Sequence, residues 1–191
     1  MKQLFALFFL FLSFHDFAQL NHGKIYLWNE VKLANPDTIH AISFEKLKLD
    51  SLPNQLWKFT QLTYLNLEKN QLAFLPDELK LLSQLTELNI SKNKFAFFPL
   101  ILCQLPNLQK LNASRNRIES IPDQIANCTH LTFLDFYDNL IEDFGLGIFN
   151  LTELKTLNIE GVMYGTNFAD DLKRKLPNVR VLLDPPCKCL N

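Results

Sequence analysis

Seven columns of similar residues recur every 23 positions along most of this chain. Rows can be written from Ile39, Leu62, Leu85, Leu108, Leu131 and Leu154. The fourth position then reads Ile42, Leu65, Leu88, Leu111, Leu134, Leu157, and the sixth reads Phe44, Leu67, Ile90, Ala113, Phe136, Ile159. The ninth holds Asn70, Asn93, Asn116 and Asn139, and the fifteenth holds Pro53, Pro76, Pro99 and Pro122. Apolar residues fill positions eighteen and twenty-one. A repeat of this length is one supersecondary unit that cannot bury its own apolar edge, so neighbouring units must stack into a continuous core.

Each column has a physical reason. Positions one to six alternate, with four and six inward and three and five outward, which is the period of a short strand. The Asn at nine turns the chain, because its amide can satisfy backbone groups left unpaired by the bend. Proline at fifteen fixes φ and begins the return. The apolar residues at eighteen and twenty-one share one face of a short helical or 3₁₀ leg. The strands then pair in parallel at about 4.8 Å. Leucine is over-represented, with 38 in the 191-residue chain, and 18 of them fall in these columns.

These rows resemble the leucine-rich repeat family in its 23-residue form. The match is carried by Asn66-Leu67-Glu68-Lys69-Asn70-Gln71-Leu72 with Leu75-Pro76-Asp77-Glu78-Leu79, and by Leu108 to Asn116 with Ile121-Pro122. It extends over residues 39 to about 183. The resemblance implies an α/β repeat: a right-handed solenoid with a parallel sheet on its concave face and a cap at each end. It also implies binding of other proteins. The first row departs at Leu47, the fifth at Gly145, and the sixth lacks both Asn and Pro.

The ends differ from the middle. Lys2 followed by the apolar run Leu4 to Phe14, with Ala18 at the cut, reads as a secretory signal peptide over residues 1–18. That run is too short to span a bilayer, and no other segment is apolar enough to do so. The expected organisation is a signal peptide, a helical N-terminal cap over 19–38, six repeats over 39–178, and a cap strand and tail over 179–191. Leu27, Trp28, Val31 and Ala34 give the first cap its helical spacing, and Phe168, Leu172 and Leu176 give a second stripe before the strand at Val179 to Leu183. The expected location is secreted, periplasmic or cell-surface.

Chemistry is sparse. Five glycines leave little for phosphate loops, and a net charge of -1 does not suit a nucleic-acid binder. Walker, G-x-S-x-G, H-E-x-x-H and G-x-G-x-x-G motifs are missing from the sequence. His40 and His130 fall three coils apart, on the order of 15 Å. Glu87 and Asp135 lie on the outward face two coils apart, with no apolar pocket expected to raise a carboxylate pKa. No enzyme activity, cofactor or metal is expected. Cys187 and Cys189 read as a terminal clip or free thiols. A Cys103–Cys128 bridge is possible but not favoured, because the two side chains should point differently. Asn89, Asn112, Asn127 and Asn150 fit the glycosylation sequon, as by-products of repeat composition.

The outward strand positions form the expected partner surface. Position three includes Tyr64, Glu87, Lys110 and Phe133; position five includes Asn66, Asn89, Asn112 and Asp135; Arg115 and Tyr137 lie just beyond. The amide column is expected either to bond a partner or to pair between strands. Lys46, Lys69, Lys92 and Arg115 form a basic edge that is expected either to steer an acidic partner or, beside Glu45 and Glu68, to form a locally neutral rim. Exposed aromatics are the usual anchors of interfaces, so Phe133 and Tyr137, beside Lys110 and Arg115, mark the expected centre. Phe74 and Phe97, at position thirteen of adjacent rows, are expected to pack against the return leg; the alternative is a self-associating envelope or surface component that uses this flank. The expected state is a monomer that binds a protein partner.

Overall fold

The computed structural model describes residues 23–185. The expected signal peptide and the Cys187/Cys189 pair lie outside the described residues.

Eight short strands form one parallel sheet in sequential order: β1 (Tyr26–Leu27), β2 (Ala41–Ser43), β3 (Tyr64–Asn66), β4 (Glu87–Asn89), β5 (Lys110–Asn112), β7 (Phe133–Asp135), β9 (Thr156–Asn158) and β10 (Arg180–Leu182). Register follows the period. Ile42 pairs with Leu65, Leu65 with Leu88, Leu88 with Leu111, Leu111 with Leu134, and Leu134 with Leu157. Each leucine of position four therefore lies behind the next, fully buried. The core runs the length of the stack between the strands and the 3₁₀ return legs at Asn54–Lys58, Asp77–Leu81, Leu100–Gln104, Asp123–Asn127 and Leu146–Asn150. Proline precedes the first four legs and Gly145 precedes the fifth. In each leg the position-eighteen residue faces the core: Leu56, Leu79, Leu102, Ile125, Ile148.

The N-terminal helix is shorter than the sequence spacing suggests. Tyr26 and Leu27 are strand, paired with Ile42 and Ser43, and only Trp28–Val31 form a helical turn, α1. The edge of β2 offers backbone partners that a longer helix would leave unmet. Trp28 stacks on Phe44 at 4.7 Å and covers that end of the core. Near the other end α2 (Thr166–Lys175) buries Ala169 and Leu172, and Phe168 stacks on Phe144 at 4.1 Å. A second, two-stranded parallel ladder joins β6 (Ser120–Ile121) to β8 (Asp143–Phe144) in rows four and five. Positions thirteen and fourteen carried no strand signal in the sequence.

Candidate functional site

The strand face is built on three columns whose work is structural. The position-nine asparagines are buried and fully engaged. Asn93 Nδ2 donates to the carbonyls of Leu67, Ile90 and Ser91, and its Oδ1 accepts the Leu72 N–H. Asn70, Asn116 and Asn139 repeat the pattern. Each thus ties its own turn to the coil before it; the first row carries Leu47 at this position. Position eight is left-handed in every row: φ is 61° at Lys46, 56° at Lys69, 55° at Lys92, 53° at Arg115, 56° at Asp138 and 77° at Gly161. A side chain there costs on the order of 1 kcal/mol. The strain is held by the next coil, since the Lys69, Lys92 and Arg115 N–H groups donate to the carbonyls of Ser91, Ser114 and Tyr137.

Position five is the third column. Asn66, Asn89 and Asn112 Oδ1 accept the N–H of Glu68, Ser91 and Ser114, and Asp135 Oδ1 accepts that of Tyr137. These are bonds to the residue two ahead on the same strand, the geometry of an Asx-turn. The oxygens of the amide column therefore shape the exit from each strand, while Asn89 Nδ2 donates to Glu68 Oε2 of the preceding row at 3.4 Å, a pairing between rows of the kind expected from the sequence. Asn89 and Asn112 are also buried, which closes those two sequons.

The rim is charge-paired. Glu45 holds Lys46 at 2.9 Å and Lys69 at 3.4 Å, and Glu68 holds Lys92 at 2.7 Å. The hydrogen bond from Lys46 pulls the Glu45 carboxyl below its ordinary value. Of the two readings the sequence left open, the locally neutral rim is what rows one to three show. Row four differs: position seven of the preceding row is Ser91 and its own is Ser114, so Arg115 lacks the position-seven carboxylate that the row before supplies to Lys69 and Lys92. Arg115 instead lies 5.4 Å above the Tyr137 ring and 3.8 Å from Asp138. Lys110 Nζ sits 2.5 Å from Glu87 Oε1.

The other expected contact residues divide in two. Tyr64 is 0% exposed, packed with Ala41 and Ile25, and Asn66, Glu87, Asn89 and Asn112 are buried too. The outward alternation holds, but outward is not solvent-exposed here: rungs about 4.8 Å apart leave same-column side chains in contact. Burial first, then the carboxylates of Glu87, Glu68 and Glu45, hold the Tyr64 phenol above its ordinary range. Lys110, Phe133, Asp135 and Tyr137 are half-buried, and Arg115 is 49% exposed at its side chain. Burial pushes Asp135 up to about 6, against the lowering effect of the Tyr137 N–H and with the help of Glu160. The sequence expectation that nothing would raise a carboxylate on this face is thus corrected.

A family model described as a leucine-rich repeat region matches residues 40–184. The chain belongs to the leucine-rich repeat family. Among solved structures, a leucine-rich repeat protein of Leptospira interrogans superposes with a TM-score of 0.67 at 24% identity, over 86% of this chain and 49% of that one. An internalin of Listeria monocytogenes gives 0.63 at 21%, over 81% and 46%. The chain spans about half the length of these structures, and the likeness shows the fold. The search of curated proteins finds no match.

Two further features of this leucine-rich repeat chain depart from expectation. Cys103 and Cys128 are bridged, with Cα atoms 4.4 Å apart. They are 25 residues apart, one coil plus two, and the end of one return leg lies against the end of the next, so helix-face geometry within a single leg misjudged their directions. Phe74 and Phe97 are not covered by the return leg: they are 64% and 72% exposed, although Phe74 borders a cavity with Asn54 and Trp57 of the first leg. Asp138, the residue that fixes Arg115 from the next row, was missed as part of the corner. Its sequence signal was its place in a column that ends in Gly161. Among the described residues no group of three or more His, Cys, Asp or Glu is arranged to hold a metal ion, and no helix is long and apolar enough to cross a membrane.

Proposed function

We propose that this protein is a non-catalytic binding module, exported and presenting its strand face to a protein partner. Residues 39–178 supply the display surface between an N-terminal cap over 19–38 and a C-terminal cap from 179. The observation that carries the reading is the corner of rows four and five. There Arg115 lies over the Tyr137 ring and Phe133 begins the strand that leads to Tyr137, while the preceding rows spend their charges on one another. An aromatic and arginine cluster on a pre-ordered ladder loses little conformational entropy on docking. Lys110 with Glu87, and Asp135, border this centre; Tyr64, Asn66, Asn89 and Asn112 support it from within the sheet. The disulfide supports export, because such bridges persist in oxidising compartments. In a capture experiment with the purified protein as bait, Phe133→Ala plus Tyr137→Ala loses a partner that wild type retains and that Phe74→Ser also retains. Retention by the double variant sinks this placement.

The exposure of Phe74 and Phe97 favours a second reading, self-association of a surface component through that flank. Light scattering separates the two: a monomer supports the first, and a dimer abolished by Phe74→Ser supports the second.

A further inference from the structure

The return legs are not equally secure. Position sixteen and seventeen are polar in rows one, two and four, as Asn54-Gln55, Asp77-Glu78 and Asp123-Gln124. In row three they are Leu100 and Ile101, and Leu100 is 47% exposed. The residue that ends each leg has ψ of 59° at Phe59, 55° at Leu82, 56° at Cys128 and 81° at Leu151, and 108° at Leu105. The hydrogen bond leading from the leg into the next strand is 3.1 Å from Leu62, 3.0 Å from Leu85 and 3.2 Å from Leu131, and 3.4 Å from Leu108. Row three therefore leaves its leg by a different path and with a longer closing bond. The Cys103–Cys128 bridge is placed at this irregular exit. It also borders a surface cavity of about 250 Å³ lined by Gln104, Pro106, Asn127 and His130, and Cys103 is half-buried, so a small thiol can approach it from solvent.

We propose that the Cys103–Cys128 disulfide is a redox-sensitive staple that closes the seam between the return legs of rows three and four. Its reduction by a dithiol frees both cysteine thiols while the reductant forms its own disulfide, a balanced transfer of two electrons and two protons. The seam then opens locally. The leg from Leu100 to Leu108 loosens, and Leu100, Ile101 and Leu102 gain contact with water. The strand ladder stays closed, because the position-nine asparagines hold the turns independently of the legs.

The test is amide hydrogen exchange on the full chain, oxidised and after dithiothreitol, preceded by peptide mapping without reduction. Mapping should recover a Cys103–Cys128 linked peptide. Reduction should speed exchange over 100–108 at least tenfold and leave 64–66 and 87–89 unchanged. The thermal midpoint should fall by about 5–10 °C. A Cys103→Ser plus Cys128→Ser variant should reproduce the reduced protein and show no further response to dithiothreitol. Free Cys103, or Cys103 linked to Cys187 or Cys189, overturns the proposal. Unchanged exchange on reduction overturns it as well, as does a uniform increase that includes the strands.

Discussion

After each strand of rows two to five the chain turns through a left-handed residue and then a buried asparagine, and φ at position eight stays between 53° and 56° from Lys69 to Asp138. The legs that close the same rows vary: their end residues range in ψ from 55° at Leu82 to 108° at Leu105, one is led by glycine rather than proline, and two are stapled to each other by a disulfide. The difference lies in what each segment must satisfy. The turn contains backbone groups buried between coils, which can be met only by one amide in one geometry. The leg contributes an apolar stripe to the core, and many backbone paths deliver that stripe. Uniformity therefore marks where hydrogen bonds decide, and variety marks where area alone decides.

Substitution should expose this contrast. The largest effect is expected at the turn: Asn93→Ala removes four hydrogen bonds and leaves buried carbonyls unmet, lowering stability by about 3–4 kcal/mol in urea unfolding. Asp77→Ala, exposed on a leg, should shift it by less than about 0.5 kcal/mol. The fifth leg should supply the exception that sharpens the rule. A Cβ on Gly147 would lie 2.0 Å from the Asp123 carbonyl oxygen, so Gly147→Ala should cost about 2–3 kcal/mol, measured the same way. There the legs of rows four and five approach too closely for any side chain.

A smaller effect separates two exposed lysines. Lys46 is left-handed and Lys58 ends a 3₁₀ leg. Lys46→Val should cost about 1–2 kcal/mol, because a β-branched side chain is poorly tolerated at positive φ, whereas Lys58→Val should cost less than about 0.5 kcal/mol. Equal losses at both would remove the distinction between turn and leg.

A pH-dependent effect concerns the one carboxylate in the position-five column. The folded protein holds the Asp135 proton up to about pH 6, above its ordinary value of 3.8. The folded state binds that proton more tightly than the unfolded chain, so this contribution to stability is full below 3.8 and is lost as pH rises through 6. Asp135→Asn keeps the acceptor for the Tyr137 N–H, as Asn66, Asn89 and Asn112 do for their rows. The variant should therefore be more stable than wild type at pH 7, with the gap closing between pH 6 and pH 4. A gap independent of pH would contradict the assigned burial.

Much of the fold could be read from the residues because its columns repeat. Leu65, Leu88 and Leu111 announce a shared environment, and Asn at nine announces a turn that needs an amide. What escaped reading has a physical pattern. Left-handed backbone at Lys69, Lys92 and Arg115 has no signature in a lysine or arginine, so that column looked like a basic edge. The burial of Tyr64 depends on Ala41 and Ile25, residues of earlier segments, and alternation alone does not reveal it. The Cys103–Cys128 pair falls two residues outside the period, where a row-by-row comparison is blind. At the candidate corner the sequence pointed to Phe133, Tyr137 and Arg115; the part played by Asp138 required the structure.

Native-state hydrogen exchange on the oxidised protein tests the turn-and-strand framework most directly. The Leu67, Ile90, Ala113 and Phe136 N–H groups, which bond from one coil to the next, should exchange only through global unfolding and with one common free energy. The leg amides of Leu56, Leu79 and Ile125 should exchange through smaller openings. Strand amides that open row by row, at free energies no higher than those of the legs, would contradict the account.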